Sequence, residues 1–330
     1  EISECLVGSE MCIRDRYIVG LRVERNSVMK NLFEQSRSHW VRYDRYEIKT
    51  GKDGKRYITP EKTAKPDVYN PLKESSEMVL EALNVGMLMM SRSPEDEVEK
   101  AILAFATHYG LLGLMTALPT TPSFMDYEAV YLPKNHFIKE ESMATEDYLA
   151  LFYPFDKLDV VKKGVESSWN VSGDNMMIAL TMTFMDEPMA KNMSFQREYA
   201  EPYDWVAQQF KDWAFTLTTS ILYYNDYDSI DEDTRNLYRK AMAAFGGIAP
   251  SYHIELLEKP TIYWDFHSLL LGIQMMFSFM LVDDAKPLRL CKHCQKVFLG
   301  SRANSAFCSA RCKNQYNVYK SRGKKNSDED

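Results

Sequence analysis

Four cysteines near the C-terminus are the residues whose types and spacing most directly specify chemistry. Cys291 and Cys294 are separated by two residues, Cys308 and Cys312 by three, and thirteen residues lie between the pairs. Thiolates are soft ligands, and four of them complete the tetrahedron of a structural zinc ion at zinc–sulfur distances of about 2.3 Å. A Cys-x2-Cys pair turns both sulfurs toward one ion through a tight knuckle of chain. Cys308 and Cys312 stand at i and i+4, on one face of a helix expected to start near Ser309 and Ala310 and to run to about Lys320. The positive end of such a helix favours the thiolate, the form that binds metal. The pattern predicts one structural Zn2+. Four thiolates leave no open coordination position for catalysis, and His293, inside the first pair, is expected to be exposed and outside the ligand set.

The residues around these ligands predict a small module. Gln295 to Phe298 leads out of the knuckle as a short strand. Knuckle, hairpin and a helix whose first turn carries two ligands make a treble-clef-type zinc finger over residues 286–322, followed by a disordered tail over 323–330. Phe298 and Phe307, with Tyr316 or Tyr319, are expected to form its apolar centre. A core this small cannot sustain a fold alone, so metal binding supplies much of the folding free energy.

Charge is distributed unevenly. From Lys286 to Ser327 there are eleven Lys or Arg and no Asp or Glu, which leaves 29 basic and 47 acidic residues elsewhere, a net of −18. A basic module on an acidic body either meets a polyanion or docks on that body. The residues expected to meet nucleic acid, DNA before RNA, are Arg302, Arg311, Lys313, Asn314, Gln315, Lys320 and Arg322. Lys and Arg would contact phosphates, Asn314 or Gln315 a base edge, and Lys324 and Lys325 would add non-specific attraction.

The run Cys-Lys-His-Cys, an aromatic at Phe298, Arg302-Ala-Asn-Ser, Phe307-Cys-Ser and Cys312-Lys-Asn-Gln-Tyr resembles the CGNR-type zinc fingers. Those fingers close bacterial proteins proposed to be transcription regulators, after a mostly helical N-terminal domain. The likeness covers about the last forty residues. It implies the same zinc-finger fold and a regulator-like role. It departs after the last ligand, where the family's Gly-Asn-Arg is Lys313-Asn314-Gln315: the asparagine is kept and the arginine is not. The same ending also resembles a family of uncharacterised bacterial and phage-associated proteins.

The remaining chain must position this module. Its 45% hydrophobic and 26% charged residues suit an ordinary globular protein, and 330 residues suit two domains. Residues 1–16 resemble a translated sequencing-adapter artefact and are expected not to be native; they hold the two other cysteines. Without them every cysteine is a ligand, which fits a reducing, cytoplasmic compartment. Ile18 to Val23 is too short for a signal peptide and is interrupted by Arg22.

Residues 17–285 are expected to form a mostly helical domain, so the fold class is mainly α with small hairpins. Met29, Leu32 and Phe33 suggest a short helix. Alternation in Tyr46–Lys49 and Arg56–Thr59 around a Gly-containing turn predicts a hairpin near 46–59. Pro60 to Pro71 is expected to be a polar linker. Helical spacing marks 74–90, through Val79, Leu80, Leu83, Met87 and Met90. It also marks a helix capped by Ser93 with Pro94 at its first position, buried through Val98, Ile102, Phe105, Tyr109 and Leu112.

A second hairpin is expected near 129–138, pairing Ala129–Leu132 with His136–Ile138, and a short helix over 175–185. Further helices are expected from Pro202 to about Tyr224 and, capped by Asp231, to Phe245. Asp265 to Val282 is apolar nearly all round; at about 18 residues with polar interruptions it suits a buried central helix better than a membrane span. No Gly-rich phosphate loop, Gly-x-Ser-x-Gly or His-Glu-x-x-His occurs, and His39, His108, His136, His253 and His267 are scattered. The expectation is therefore a zinc-binding, nucleic-acid-binding protein. Its rivals are a protein–protein interaction module using the finger, and an enzyme with its site in the helical body and a purely structural zinc.

Overall fold

The computed structural model describes residues 37–38, 40–113, 129–131, 142–144, 147, 154–155, 199–225, 227–244, 251–265, 268–283, 285–301 and 305–327. Expectations for residues 1–16, for Met29, Leu32 and Phe33, and for the 175–185 helix lie outside them.

The described chain begins with strands β1 (Trp40–Tyr43), β2 (Tyr46–Thr50), β3 (Arg56–Pro60) and β4 (Pro66–Tyr69). β2 and β3 form the expected hairpin, with Tyr46 opposite Pro60 and Thr50 opposite Arg56. The stretch read as a polar linker is not one: β4 lies within it and pairs antiparallel with β1, Trp40 opposite Tyr69. Val68 and Tyr69 supply the apolar contacts, and Arg42 lies over the Tyr69 ring while bonding Asp67 at 2.9 Å. That pairing spans 25 residues of sequence, and alternation within so short a strand does not announce it.

A 3-10 turn, Pro71–Glu74, leads into α1 (Ser75–Met90), followed by α2 (Glu95–Tyr109). The cap of α2 differs from the expectation by one residue. Pro94 occupies the capping position and Ser93 Oγ lies 3.2 Å from Ser91 Oγ, so Ser93 is not the cap; Glu95, Asp96 and Glu97 nonetheless fill the first turn. Val98, Ile102, Phe105, Tyr109 and Leu112 are all buried as the spacing requires. Short strands β5 (Ala129–Tyr131) and β6 (Ser142–Ala144) pair with each other. The 129–131 strand thus finds its partner further along the chain than the expected His136–Ile138, which lies outside the described residues.

β7 (Glu201–Pro202) adds to the open edge of β3 and runs directly into α3 (Tyr203–Asn225). α4 (Glu232–Ala244) follows, capped as expected: Asp231 Oδ1 accepts the Thr234 N–H at 2.8 Å. β8 (Ser251–Leu256) and β9 (Pro260–Asp265) then form a hairpin beyond the two expected, consistent with the alternation in Tyr252-His-Ile-Glu-Leu. α5 (Leu269–Leu281) is the expected buried helix, shortened at its start because Ser268 Oγ accepts the Leu271 N–H and caps it there. At 13 residues it does not reach a membrane span, and among the described residues no helix is long and apolar enough for one. β10 (Leu288–Leu290), β11 (Val297–Leu299) and α6 (Ala310–Ser327) complete the chain.

The core gathers around α1, which lies against α2, α3, α5 and β11. α1 and α3 approach closest at Gly86, where a Cβ would lie 2.1 Å from the Phe210 carbonyl oxygen. Only glycine permits that approach. Phe105, Phe210 and Trp213 stack edge to face behind the crossing, with ring centroids 4.8 and 5.6 Å apart. One carboxylate sits inside this apolar mass. Glu201 is fully buried and accepts the N–H groups of Leu112 (2.9 Å) and Gly113 and the Tyr199 hydroxyl (2.9 Å). Backbone donors in the segment just after α2 thus compensate its desolvation and tie that segment to β7.

Candidate metal centre

The C-terminal cysteines converge. One sulfur from each of Cys291, Cys294, Cys308 and Cys312 lies within 4.8 Å of all the others. Cys294 and Cys308 sulfurs are 3.7 Å apart, Cys308 and Cys312 sulfurs 3.5 Å. A disulfide requires about 2.05 Å, and all four are free thiols. A tetrahedron with ligands about 2.3 Å from its centre has edges of about 3.8 Å. The donor set therefore fits a tetrahedral metal ion, and the four cysteines form a cluster able to hold one.

Local structure explains how each sulfur arrives. β10 and β11 pair with Leu290 opposite Val297, and the Cys-x2-Cys knuckle is the turn between them. Cys291 N–H donates to Lys296 O and Gln295 N–H to Cys291 O, both at 2.9 Å, and Gln295 adopts φ 58° to close the turn. The expected strand after the knuckle is present as β11. Lys292 N–H then bonds Ala306 O at 2.9 Å, drawing the segment before Cys308 across the knuckle.

The second pair departs from the expected geometry. Ser309 Oγ accepts the Cys312 N–H at 3.2 Å, which makes Ser309 the cap. Cys308 therefore precedes the helix instead of lying on it, and only Cys312 belongs to the first turn. The Ser-x-x-Cys spacing was the available signal for this cap. α6 also continues past the expected Lys320 to Ser327.

Electrostatics within the cluster are uneven. Burial works against a charged thiolate at Cys291, but the backbone N–H groups of Cys294, Cys308 and His293 outweigh it and hold that thiol down at about 6. Burial and the neighbouring thiols push Cys308 up to about 12 and raise Cys294 as well. Cys291 is thus the sulfur that the surrounding backbone amides favour as an anion.

Aromatic packing around the cluster is partly as expected. Phe307 packs on Tyr316 with centroids 5.2 Å apart. His293 is not a free bystander: it is half-buried and stacks on Tyr319 at 5.8 Å and 19°. It stays outside the cysteine cluster.

The module is fastened to the body at β11. Asn84, on α1, presents its amide to Val297 as a neighbouring strand would: Oδ1 accepts the Val297 N–H at 2.8 Å and Nδ2 donates to the Val297 carbonyl at 3.2 Å. Nδ2 also donates to Leu80 O at 2.8 Å, which holds the amide in place. Leu288 and Val297 are buried in the main core beside it. Nothing in the sequence around Asn84 marks this role, because its partner lies 213 residues away.

Arg311, Lys313, Asn314 and Lys320 are exposed on α6 and Gln315 is half-buried; Arg302 lies outside the described residues, and Arg322 falls within α6. Helical spacing does not gather them into one stripe. Arg311 and Gln315 fall on one flank, Lys313 and Lys320 on the other, and Asn314 between them, opposite Cys312 and Tyr316. Among the described residues, Lys292, Lys296, Arg311, Lys313 and Lys320 form no ion pair, whereas body cations such as Arg42, Arg45 and Arg56 each pair with carboxylates. Of the histidines, His108 bonds Glu81 at 2.9 Å on the surface and His253 is exposed; His39, His136 and His267 lie outside the described residues.

Comparison of the chain with protein-family models, with curated proteins and with solved structures finds no match.

Proposed function

We propose that the cysteine cluster holds one structural Zn2+ in a treble-clef-type finger, and that this finger presents α6 to nucleic acid, DNA in preference to RNA. The observation that carries the reading is the arrangement of α6. The side toward the cysteine cluster carries Cys312 and Tyr316, and the opposite side offers Asn314 between exposed Arg311 on one flank and Lys313 and Lys320 on the other, none of them in an ion pair among the described residues. A helix lying in a groove needs this distribution, with cations toward the phosphates on either side and an amide toward the base edges. The resemblance to CGNR-type fingers agrees with it, as do the free thiols, which suit a reducing cytoplasm. The absence of ion pairs on the module's exposed lysines among the described residues disfavours the alternative in which they dock on the acidic body.

The test is a salt-dependent titration of zinc-loaded protein lacking residues 1–16 against mixed duplex DNA and structured RNA. Affinity that falls steeply with salt and disappears on zinc removal supports the reading. Binding that is absent at low salt, or indifferent to zinc, overturns it.

A further inference from the structure

Among the described residues, the β8–β9 hairpin has an unpaired edge. β9 is flanked on its far side by Arg37: Arg37 N–H donates to Ile262 O at 2.9 Å, and Trp264 N–H donates to Arg37 O at 2.8 Å. Ile262 and Trp264 therefore turn their main-chain groups away from β8. Alternation along a strand then turns those of Thr261, Tyr263 and Asp265 toward β8, where they meet Glu255, His253 and Ser251. The wide pairs are Tyr252 with Trp264, Ile254 with Ile262 and Leu256 with Pro260. Pro260 suits its position, since it has no N–H to give. Tyr252, Ile254 and Leu256 consequently point their N–H and C=O groups outward, and among the described residues no strand pairs with that edge.

The side chains make the edge more conspicuous. Tyr252 and Ile254 are each 61% exposed and Leu256 is 84% exposed, all on one face of the hairpin. An exposed edge strand is ordinarily protected by lysine, proline or a bulge. β8 reads Ser-Tyr-His-Ile-Glu-Leu and contains none of these.

We propose that β8 is a dimerisation edge, on which two copies of this chain pair β8 with β8, antiparallel, about a twofold axis through Ile254. The register follows from the geometry. A twofold through His253 or Glu255 pairs only two of the three outward-facing residues on each strand, for about four hydrogen bonds. Centring on Tyr252 or Leu256 runs the pairing off the end of the strand. Centring on Ile254 pairs Ile254 with the partner's Ile254 and Tyr252 with the partner's Leu256 on both sides, for about six hydrogen bonds. It also sets His253 opposite the partner's Glu255 in both close, non-hydrogen-bonded positions, the same two side chains that bond at 3.2 Å within each strand, so opposed residues are hydrogen-bonding partners and not like charges. A single strand edge lies at the small end of specific interfaces, so the dimer is concentration-dependent.

Sedimentation equilibrium of the full chain over a wide concentration range, with three variants, tests this. Ile254→Lys places like charges opposite each other only in this register, at a position already exposed. It should raise the dimer dissociation constant roughly tenfold or more, with circular dichroism and Tm unchanged. Ile254→Cys brings the two Cα atoms to about 5.5 Å, within disulfide reach, so mild oxidation should give a dimer whose cross-linked peptide joins 254 to 254. Tyr252→Cys should not cross-link to itself. A wild-type chain that stays monomeric at millimolar concentration overturns the proposal. So does a dimer unaffected by Ile254→Lys, or one that cross-links through Tyr252→Cys in preference to Ile254→Cys. The outcome is independent of whether the finger binds zinc or nucleic acid.

Discussion

Helices α3 and α6 differ little in length, 23 and 18 residues, and almost entirely in surroundings. α3 buries Val206, Phe210, Trp213 and Leu217 against α1, and its position is fixed by apolar area removed from water. Among the α6 residues whose side chains are described, none is fully buried. What holds α6 lies toward its N-terminal end: a capping serine, one cysteine in a cluster of four, Tyr316 on Phe307 and Tyr319 on His293. One end of the protein is stabilised by burial, and the other gathers four cysteines able to hold a metal ion. The two meet at Val297 and Asn84, where a strand of the module enters the core of the body. The module is thus free to keep nearly every polar side chain of α6 facing solvent, which a helix stabilised by burial could not do.

Four changes would break or sharpen that contrast. The largest effect is expected from Cys308→Ser. Losing one of four thiolates should remove the metal, whose binding contributes on the order of 10 kcal/mol to such modules, and melt α6 while the body keeps its own unfolding transition. Metal content and far-ultraviolet circular dichroism read this out; a variant that retains stoichiometric metal refutes the ligand assignment. Phe210→Ala should act conversely. It should cost the body about 3–5 kcal/mol in denaturant unfolding and leave metal stoichiometry unchanged in the folded protein.

Asn84→Ala addresses the junction. The Val297 N–H and carbonyl lose their partners, at a cost of about 1–3 kcal/mol. More tellingly, chelation should lower the body's Tm in the wild type and have a smaller effect in the variant, because the two regions no longer share that contact. An equal response in both would show that the apolar contacts of Leu288 and Val297 alone carry the coupling. Lys313→Ala is the mildest: stability should not change, and the slope of log affinity against log salt should fall by about 0.9 if that lysine meets one phosphate.

Legibility in the sequence divided along the same line. The four ligands could be read because thiolate chemistry and spacing are local. So could α1, α2, α3 and α4, whose apolar periodicity extends over three or more turns, and the cap at Asp231, which acts across three residues. The β8–β9 hairpin and β4 were missed because short strands carry little periodicity and take their meaning from a partner. The fourfold convergence of the sulfurs could be anticipated; that Cys308 stands before the helix cap could not be separated from an i, i+4 pair on the helix until Ser309 was seen bonding Cys312.

The sequence by itself determined which atoms could bind a metal, where the chain is basic, and where most long helices begin and end. These depend on residue identity and on neighbours within a turn or two. The tertiary structure alone decided that β1 pairs with β4, that Gly86 admits the Phe210 carbonyl, that Glu201 is satisfied by the end of α2, and that Asn84 receives Val297. Each of those contacts joins residues 23 or more apart in sequence. Their partners are selected by which surfaces remain uncovered once the helices have packed, and that is a property of the assembled core, not of any local stretch of chain.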